Sequence, residues 1–519
     1  MTIIANRAFD NCHTLSSITV DSENKAYASA DGVLYDKDIT ELITCPESKT
    51  SVEIPGSVTI IANSAFDNCH TLSSITVDSE NRAYASVDGV LYNKDITESI
   101  ICPKGKTSVR IPDTMAKIRR LAFSDCDSLT SVEIPESVSV IGDNAFRGCN
   151  NLTSITVDSE NKAYASVDGV LYNKDITVLI KCPEGKTSVE IPESVTTIED
   201  NAFSGCRNLT SVKIPKSVTD IGFSAFGFCD GLTSIKILES VTEIGYGAFE
   251  YCLGLTSVDI PESVTVIGDC AFHNCRNLTS VKIPESVTVI GNSAFSYCNN
   301  LTSVDIPESV TVIGDCAFAG CSNLTSVKIP ESVTEIGYAA FGSCLGLTSV
   351  EIPESVTTFR NNAFDNCSRL MSITVDSGNK VYSSVDGVLY NKDNTKLIKC
   401  PNGLTSVKIP GSVTTIEENA FAYCSNLISV KIPGSVTEIG NSAFSDCSNL
   451  TSVEIPESVT TIGYGAFDNC LSLSSITVDN ANKAYVSVDG VLYNKDMTKL
   501  IADPTYKMQS GTTESESDF

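Results

Sequence analysis

The chain has 519 residues, more than one ordinary globular core holds, and carries 36 basic against 64 acidic residues for a net charge of −28. That balance speaks against nucleic acid, whose phosphates need a basic footprint, and against anionic membrane surfaces. Three His and no Trp leave few groups for general acid–base or metal chemistry, and no apolar run approaches the ~18 residues of a membrane span.

The first residues, Met1-Thr2-Ile3-Ile4-Ala5-Asn6-Arg7, lack the basic and apolar regions of a signal peptide. Met1 aligns with Val58, so the chain starts inside a repeat. From Phe9 to Phe467 the dipeptide Ala-Phe recurs fifteen times, at steps of 23 or 57 residues. A repeat of this kind overrides the length prior and predicts one stacked array in place of several globules.

The longer step is 34 plus 23 residues. The 34-residue coils fall near 18–46, 75–103, 155–183, 373–401 and 476–504. In the third, Gly169-Val170-Leu171-Tyr172 and Val178-Leu179-Ile180 are apolar runs around the turn signal Asn173-Lys174-Asp175. They predict a β-hairpin projecting from the array as a fin or lip. Between Phe203 and Phe364 run seven uninterrupted 23-residue steps. One such unit, 278–300, places Val281 and Ile283 around polar Lys282, the period-two mark of a short strand. Pro284 ends that strand and Gly291 permits a bend. Leu278, Val287, Ile290, Ala294, Phe295 and Cys298 complete its apolar set. A unit this short cannot bury eight apolar positions alone, but stacked coils can, each covering the next.

The fold class predicted is therefore a mainly β repeat solenoid of about 19 coils over 1–504, with a parallel sheet along one face and the 34-residue hairpin coils interspersed. The polar segment 505–519 reads as a disordered tail. Neither end shows a capping module, which predicts a longer protein or end-to-end self-association.

The pattern L-x-x-V-x-I-P-x-S-V-T-x-I-G-x-x-A-F-x-x-C resembles the BspA-like class of leucine-rich repeats, and V-D-G-V-L-Y-N-K-D resembles a variant unit of the same family. The resemblance covers about residues 1–504. It implies a leucine-rich-repeat solenoid of a secreted or cell-surface protein, acting in adhesion or partner contact, and names no ligand. One departure is plain. Ser263, Ser286, Ser309 and Ser332 stand where the common leucine-rich pattern has a ladder Asn after the strand.

A solenoid turns one repeat position into a row. The polar strand position gives Lys213, Lys236, Asp259, Lys282, Asp305, Lys328 and Glu351, alternating in sign from Lys236 onward. Opposite charges one strand apart attract, so the row reads either as a register-fixing ladder or as a polar recognition face. Glu239, Glu262, Glu285, Glu308, Glu331 and Glu354 form a like-charge ridge. It is a solvated row or a weak site for cationic ligands, since a single file gives calcium few converging oxygens. Phe223 with Tyr246, and Phe228 with Tyr251, hold equivalent positions in successive coils, either as an interface patch or as surface cover.

Fifteen of the 21 Cys lie three residues after a repeat Phe, and Cys45, Cys102, Cys182 and Cys400 each precede Pro. A column of buried thiols is expected, since free Cys packs as a small hydrophobe. Parallel Cβ vectors and an odd count speak against a disulfide framework. Cys270, His273 and Cys275 form a Cys/His cluster too sparse for zinc, so no metal and no cofactor are expected. Sequons at Asn151, Asn208, Asn277, Asn300, Asn323 and Asn449 lie in turns, read either as glycosylation acceptors of a eukaryotic secreted protein or as Asn favoured by the turn itself. No G-x-S-x-G, P-loop or H-E-x-x-H occurs. The sequence thus predicts no enzyme. It predicts a module that binds a protein or glycan, with Lys236, Asp259, Lys282, Asp305, Lys328, Phe223, Phe228, Tyr246 and Tyr251 as candidate contacts. A spacer or surface-layer scaffold without a specific ligand is the alternative.

Overall fold

The computed structural model describes residues 3–5, 7–360 and 362–504, and none of these is helical. The tail expected at 505–519 lies outside the described residues. Contacts divide the chain into two units: Met1–Val241 with Ala248–Leu255, and Thr242–Gly247 with Thr256–Phe519. Each is a β-solenoid built from the same coils.

In the second unit the strands Ser257–Asp259, Ser280–Lys282, Ser303–Asp305 and Ser326–Lys328 lie side by side in parallel. Their middle valines point inward; Val258, Val281 and Val304 are buried. The chain then turns at Pro284, whose carbonyl accepts Val287 N at 3.0 Å. There the serine that replaces the usual Asn makes its own ladder. Ser286, Ser309 and Ser332 each donate from Oγ, at 2.6 Å, to the Val carbonyl one coil before.

A second parallel ladder, absent from the sequence reading, follows at once. It runs through Glu243–Ile244, Val266–Ile267, Val289–Ile290, Val312–Ile313, Glu335–Ile336 and Thr358–Phe359. Two residues are too few for alternation to register as a strand. After Ile290 the coils approach so closely that a Cβ on Gly291 would meet Asp269 N at 2.6 Å.

The third side of the coil is the Ala-Phe turn. Ser293 and Tyr297 take left-handed φ of 53° and 56° around Phe295. The turn is tied to its neighbour by Ser293 N to Asp315 O at 2.8 Å, Phe295 N to Ala317 O at 2.8 Å and Tyr297 N to Ala319 O at 2.6 Å. Between the three ladders lies the core. Phe272, Phe295, Phe318, Phe341 and Phe364 stack with centroids 5.2–5.4 Å apart. Full burial of each ring contributes about 1.5–3 kcal/mol. Phe203, Phe226 and Phe249 stack likewise in the first unit, at 4.7 and 5.3 Å. Of the fifteen repeat phenylalanines only Phe9, in the first coil of the sequence, is half-buried.

The column cysteines sit under this stack. Cys298, Cys321 and Cys344 are buried and each donates from Sγ, at 3.3 Å, to the Phe carbonyl of the preceding coil. Burial pushes the Cys321 thiol up to about 12. These thiols act as packed, weakly donating groups, not as nucleophiles.

The 34-residue coils hold a three-stranded meander, one strand more than the hairpin expected. In the third, Tyr164–Val167 pairs antiparallel with Val170–Asn173 across Asp168 and Gly169, at φ 49° and 75°. Both residues at positive φ is the two-residue turn that Asp-Gly favours. Val170–Asn173 then pairs with Val178–Lys181, which continues in parallel into Thr197–Ile198 of the next coil. The meander is no projecting fin: Val170, Leu171 and Tyr172 are at most 2% exposed. Its entry is fixed by Asn161, fully buried, whose Nδ2 donates to Pro135 O and Val138 O at 2.8 and 2.9 Å. Asn161 Oδ1 accepts Ala163 N and Tyr164 N, both at 2.9 Å. The Gly169 carbonyl accepts Ile155 N, so the hairpin tip ends the sheet there.

Candidate functional site

The nine candidate residues do not form one surface. Lys236, in the first unit, and Asp259, Lys282, Asp305 and Lys328, in the second, all end three-residue strands and are exposed. Val inside and Lys or Asp outside follow from strand alternation. Register sets Lys282 directly opposite Asp305, and Asp305 opposite Lys328, as the alternating signs suggest. In the second unit, however, Lys282 and Lys328 pair elsewhere. Lys282 Nζ reaches Glu262 Oε1 at 3.9 Å, and Lys328 Nζ reaches Glu308 Oε1 at 3.2 Å. In the first unit, by contrast, Lys213 pairs with Glu190, its direct neighbour in the strand row. The Glu ridge and the strand row are therefore one surface, not two. The long lysine stem passes the short Asp and leans toward the Glu of the preceding coil.

Such pairs are weak anchors. Lys282 and Lys328 remain 86% and 81% exposed, so each pair is worth about 0–1 kcal/mol and is screened by salt. Beside them the hydroxyls are tied down: Thr279, Thr302 and Thr325 each bond the Thr carbonyl one coil before, at 3.2–3.4 Å. The face presents hydrogen-bonded hydroxyl rows and exposed charged heads at 23-residue intervals.

The aromatic candidates lie along the Ala-Phe turn. In the first unit Phe228 and Tyr251 stack at 4.8 Å with planes 7° apart, and Phe223 is 45% exposed. In the second, Tyr246 is 49% exposed. Sequence reading passed over four more. Tyr297 and Tyr423 hold the Phe228 position, and Tyr338 and Tyr464 the Tyr246 position, all exposed. Their signal was available in the repeat register. Phe228, Tyr251, Tyr297 and Tyr423 all take left-handed φ, between 53° and 62°. Ser, Asn and Asp take it at the same position in other coils, so the strain belongs to the turn and not to a site.

The Cys/His cluster lies along one Ala-Phe turn, where His273 N donates to Cys270 O at 2.9 Å. Cys275 is buried in the thiol column, Cys270 is half-buried, and His273 Nδ1 lies 2.6 Å from Ser296 Oγ. Among the described residues no three His, Cys, Asp or Glu are grouped to hold a metal. All six sequon asparagines are exposed, and Asn300 and Asn323 each bond the Asn one coil before.

A family model for the BspA type leucine rich repeat region, in 6 copies, matches residues 43–105, 94–167, 181–302, 288–408 and 398–495. The chain belongs to the BspA-type leucine-rich repeat family. No curated relative matches it. Among solved structures, a leucine-rich repeat protein from Bacteroides ovatus is 28% identical, with 76% of this chain and 92% of that one covered and a TM-score of 0.47. A leucine rich cell surface protein from Faecalibacterium prausnitzii is 25% identical, covering 89% and 96%, with a TM-score of 0.40. A leucine-rich repeat protein from Eubacterium ventriosum is 27% identical, covering 60% and 78%, with a TM-score of 0.43. No helix among the described residues is long and apolar enough to cross a membrane.

A BspA-type coil thus offers two distinct surfaces: a hydroxyl-and-charge face on the three-residue strands, and a turn edge dotted with tyrosine and phenylalanine.

Proposed function

We propose that residues 1–504 form a non-enzymatic binding module of a cell-surface or secreted protein, which presents its three-residue-strand face to a protein or glycan partner. The observation that supports this most is the exposed row of alternating charge. Lys282, Asp305 and Lys328 are in direct register, with lysine heads more than four-fifths exposed and held only by weak pairs. A partner with complementary charge at the strand spacing of ~4.8 Å replaces those pairs at little cost. The Phe228–Tyr251 stack of the first unit, with Phe228 exposed, is a second contact surface, suited to a sugar ring or an apolar side chain.

The contrasting reading is a spacer whose rows serve solubility and register. It draws on the same pairs, since Lys282 with Glu262 and Lys328 with Glu308 neutralise one another. The double variant Lys282→Asp/Asp305→Lys preserves net charge while breaking the alternation, since like charges then face Asp259 and Lys328 on the neighbouring strands. Binding to an array of extracellular proteins and glycans is then compared with the unchanged chain. Loss of a ligand with an unchanged melting temperature supports the binding module. Identical profiles support the spacer.

A further inference from the structure

A 34-residue coil has no Ala-Phe turn, so the turn of the coil that follows meets only its Cys-Pro segment there, as Cys182 N donates to Ala202 O at 2.7 Å. In a run of 23-residue coils, the carbonyl one residue after the Phe accepts a backbone N–H from the preceding turn, as Ala319 O accepts Tyr297 N. After the coils at 155–183 and 373–401 no backbone N–H among the described residues plays that part and a lysine does, joined at Ala422 O by Asn402 Nδ2 at 2.8 Å. Lys181 Nζ donates to Ser204 O at 3.0 Å and Asn201 O at 3.4 Å. Lys399 Nζ donates to Ala422 O at 3.1 Å, Asn419 O at 3.2 Å and Asp365 Oδ1 at 2.6 Å, and the side chain is fully buried. Burial pulls the pKa of Lys399 down, the Asp365 carboxylate at 2.6 Å pushes it up, and the net shift is upward. The notch is an ammonium cradle, and these two coils fill it with their own chain.

The coil at 75–103 has the notch without the lysine. Alignment of I-T-E-S-I-I-C-P-K with I-T-V-L-I-K-C-P-E puts Ile101 at the Lys181 position, Ser99 at the Leu179 position and Lys104 at the Glu184 position. Leu179 and Leu397 are core residues; Ser99 is just as buried, with no hydrogen-bond partner for its hydroxyl. The seam beside it is open. Strands Glu41–Thr44, Val178–Lys181 and Lys396–Lys399 each pair with the two-residue strand of the next coil. Ser99–Ile101 does not pair with Lys117–Ile118. A cavity opens there, lined by Asp67, Ile101, Lys104, Leu121 and Ser124, with Cys69 and Cys102 beside them. By repeat position Asp67 is the counterpart of Asp365, Leu121 of Asn419 and Ser124 of Ala422. The three groups that hold Lys399 all line this cavity. Asp67 is engaged only by Arg7, at 3.8 Å, among the described residues.

We propose that this cavity binds a primary alkylammonium group, the side chain of a lysine on a partner protein, seated where Lys181 and Lys399 sit in the sibling coils. The net charge of −28 favours approach of a basic segment. Lys104 stands on the cavity wall where Glu184 pairs with Lys181 at 3.5 Å, so its charge opposes a bare ammonium, and an acidic residue beside the inserted lysine offsets it. The site is independent of the strand-face row, so the Lys282→Asp/Asp305→Lys variant retains it.

The test is an NMR titration of the whole chain with Nα-acetyl-lysine methylamide, against Nα-acetyl-norleucine methylamide, which has a similar aliphatic chain and no ammonium. Expected is saturable binding of the lysine compound, with shifts at Asp67, Leu121 and Ser124, and none of the norleucine compound. Ile101→Lys supplies the cradle from within, as two sibling coils do, so the variant folds, and binding weakens at least about tenfold. Ile101→Leu keeps it. Equal binding of the two compounds, no binding by the unchanged chain, or undiminished binding by Ile101→Lys overturns the proposal.

Discussion

Phe295 shows what one residue does in this architecture. It lies fully buried between Phe272 and Phe318, and its carbonyl accepts the Cys321 thiol. Phe295→Ala opens a cavity between stacked rings that cannot collapse independently, so a loss of about 3–5 kcal/mol is expected in denaturant unfolding. An unchanged transition would remove Phe295 from the core. His273 carries a pH prediction. Burial holds its pKa below the ordinary imidazole value, so as pH falls the unfolded chain takes up the proton first. Stability is then present above the unfolded value of about 6.5 and is lost as pH falls through the folded one. The unchanged chain should lose more stability than His273→Gln between about pH 7.5 and 5; parallel losses would assign His273 no role. The column residues Phe295 and Cys298 are legible in sequence because every coil repeats them. Lys399 is not legible, because its role comes from a turn missing one coil away.

At the scale of the element, the meander was half visible. Its turn residues and middle strand announce themselves through Asp168-Gly169 and Val170-Leu171-Tyr172. Its first strand, Tyr164–Val167, is half-buried throughout and gives no clean alternation. The anchor Asn161 looks in sequence like any polar loop residue, yet every bond its amide makes is to backbone. The two-residue strands were beyond reach for a different reason: a pair such as Val289–Ile290 takes its strand character from stacking alone. The hairpin turn gives a controlled comparison. Gly169 has φ +75°, and an added Cβ would lie 2.8 Å from Ser154 Oγ. Gly411, in the turn after a strand, has nothing within 4 Å of such a Cβ. Gly169→Ala should cost at least about 1–2 kcal/mol from the left-handed backbone alone, whereas Gly411→Ala stays within about 0.5 kcal/mol. Equal melting temperatures for the two variants would mean that the meander relaxes around the added methyl.

At the scale of the whole chain, repetition makes stability a sum of coil and neighbour terms, and the cysteines report on it position by position. The solenoid itself was legible because a 23-residue unit leaves no other way to bury its apolar set. Which rows stand free was not, since the merging of the strand row with the Glu ridge depends on how far Lys282 leans and not on its place in the repeat. Cys12 is exposed, Cys270 and Cys316 are half-buried, and the other eighteen of the 21 thiols are buried. Brief alkylation of the native chain, followed by peptide mass mapping, should therefore mark those three and spare the rest. Phe295→Ala then sharpens the test. If contacts act between nearest neighbours, partial denaturation of that variant exposes Cys275, Cys298 and Cys321 first, while Cys182 and Cys206 stay protected. Simultaneous labelling of all eighteen would show that the coils open together, and the nearest-neighbour account of this solenoid would fail.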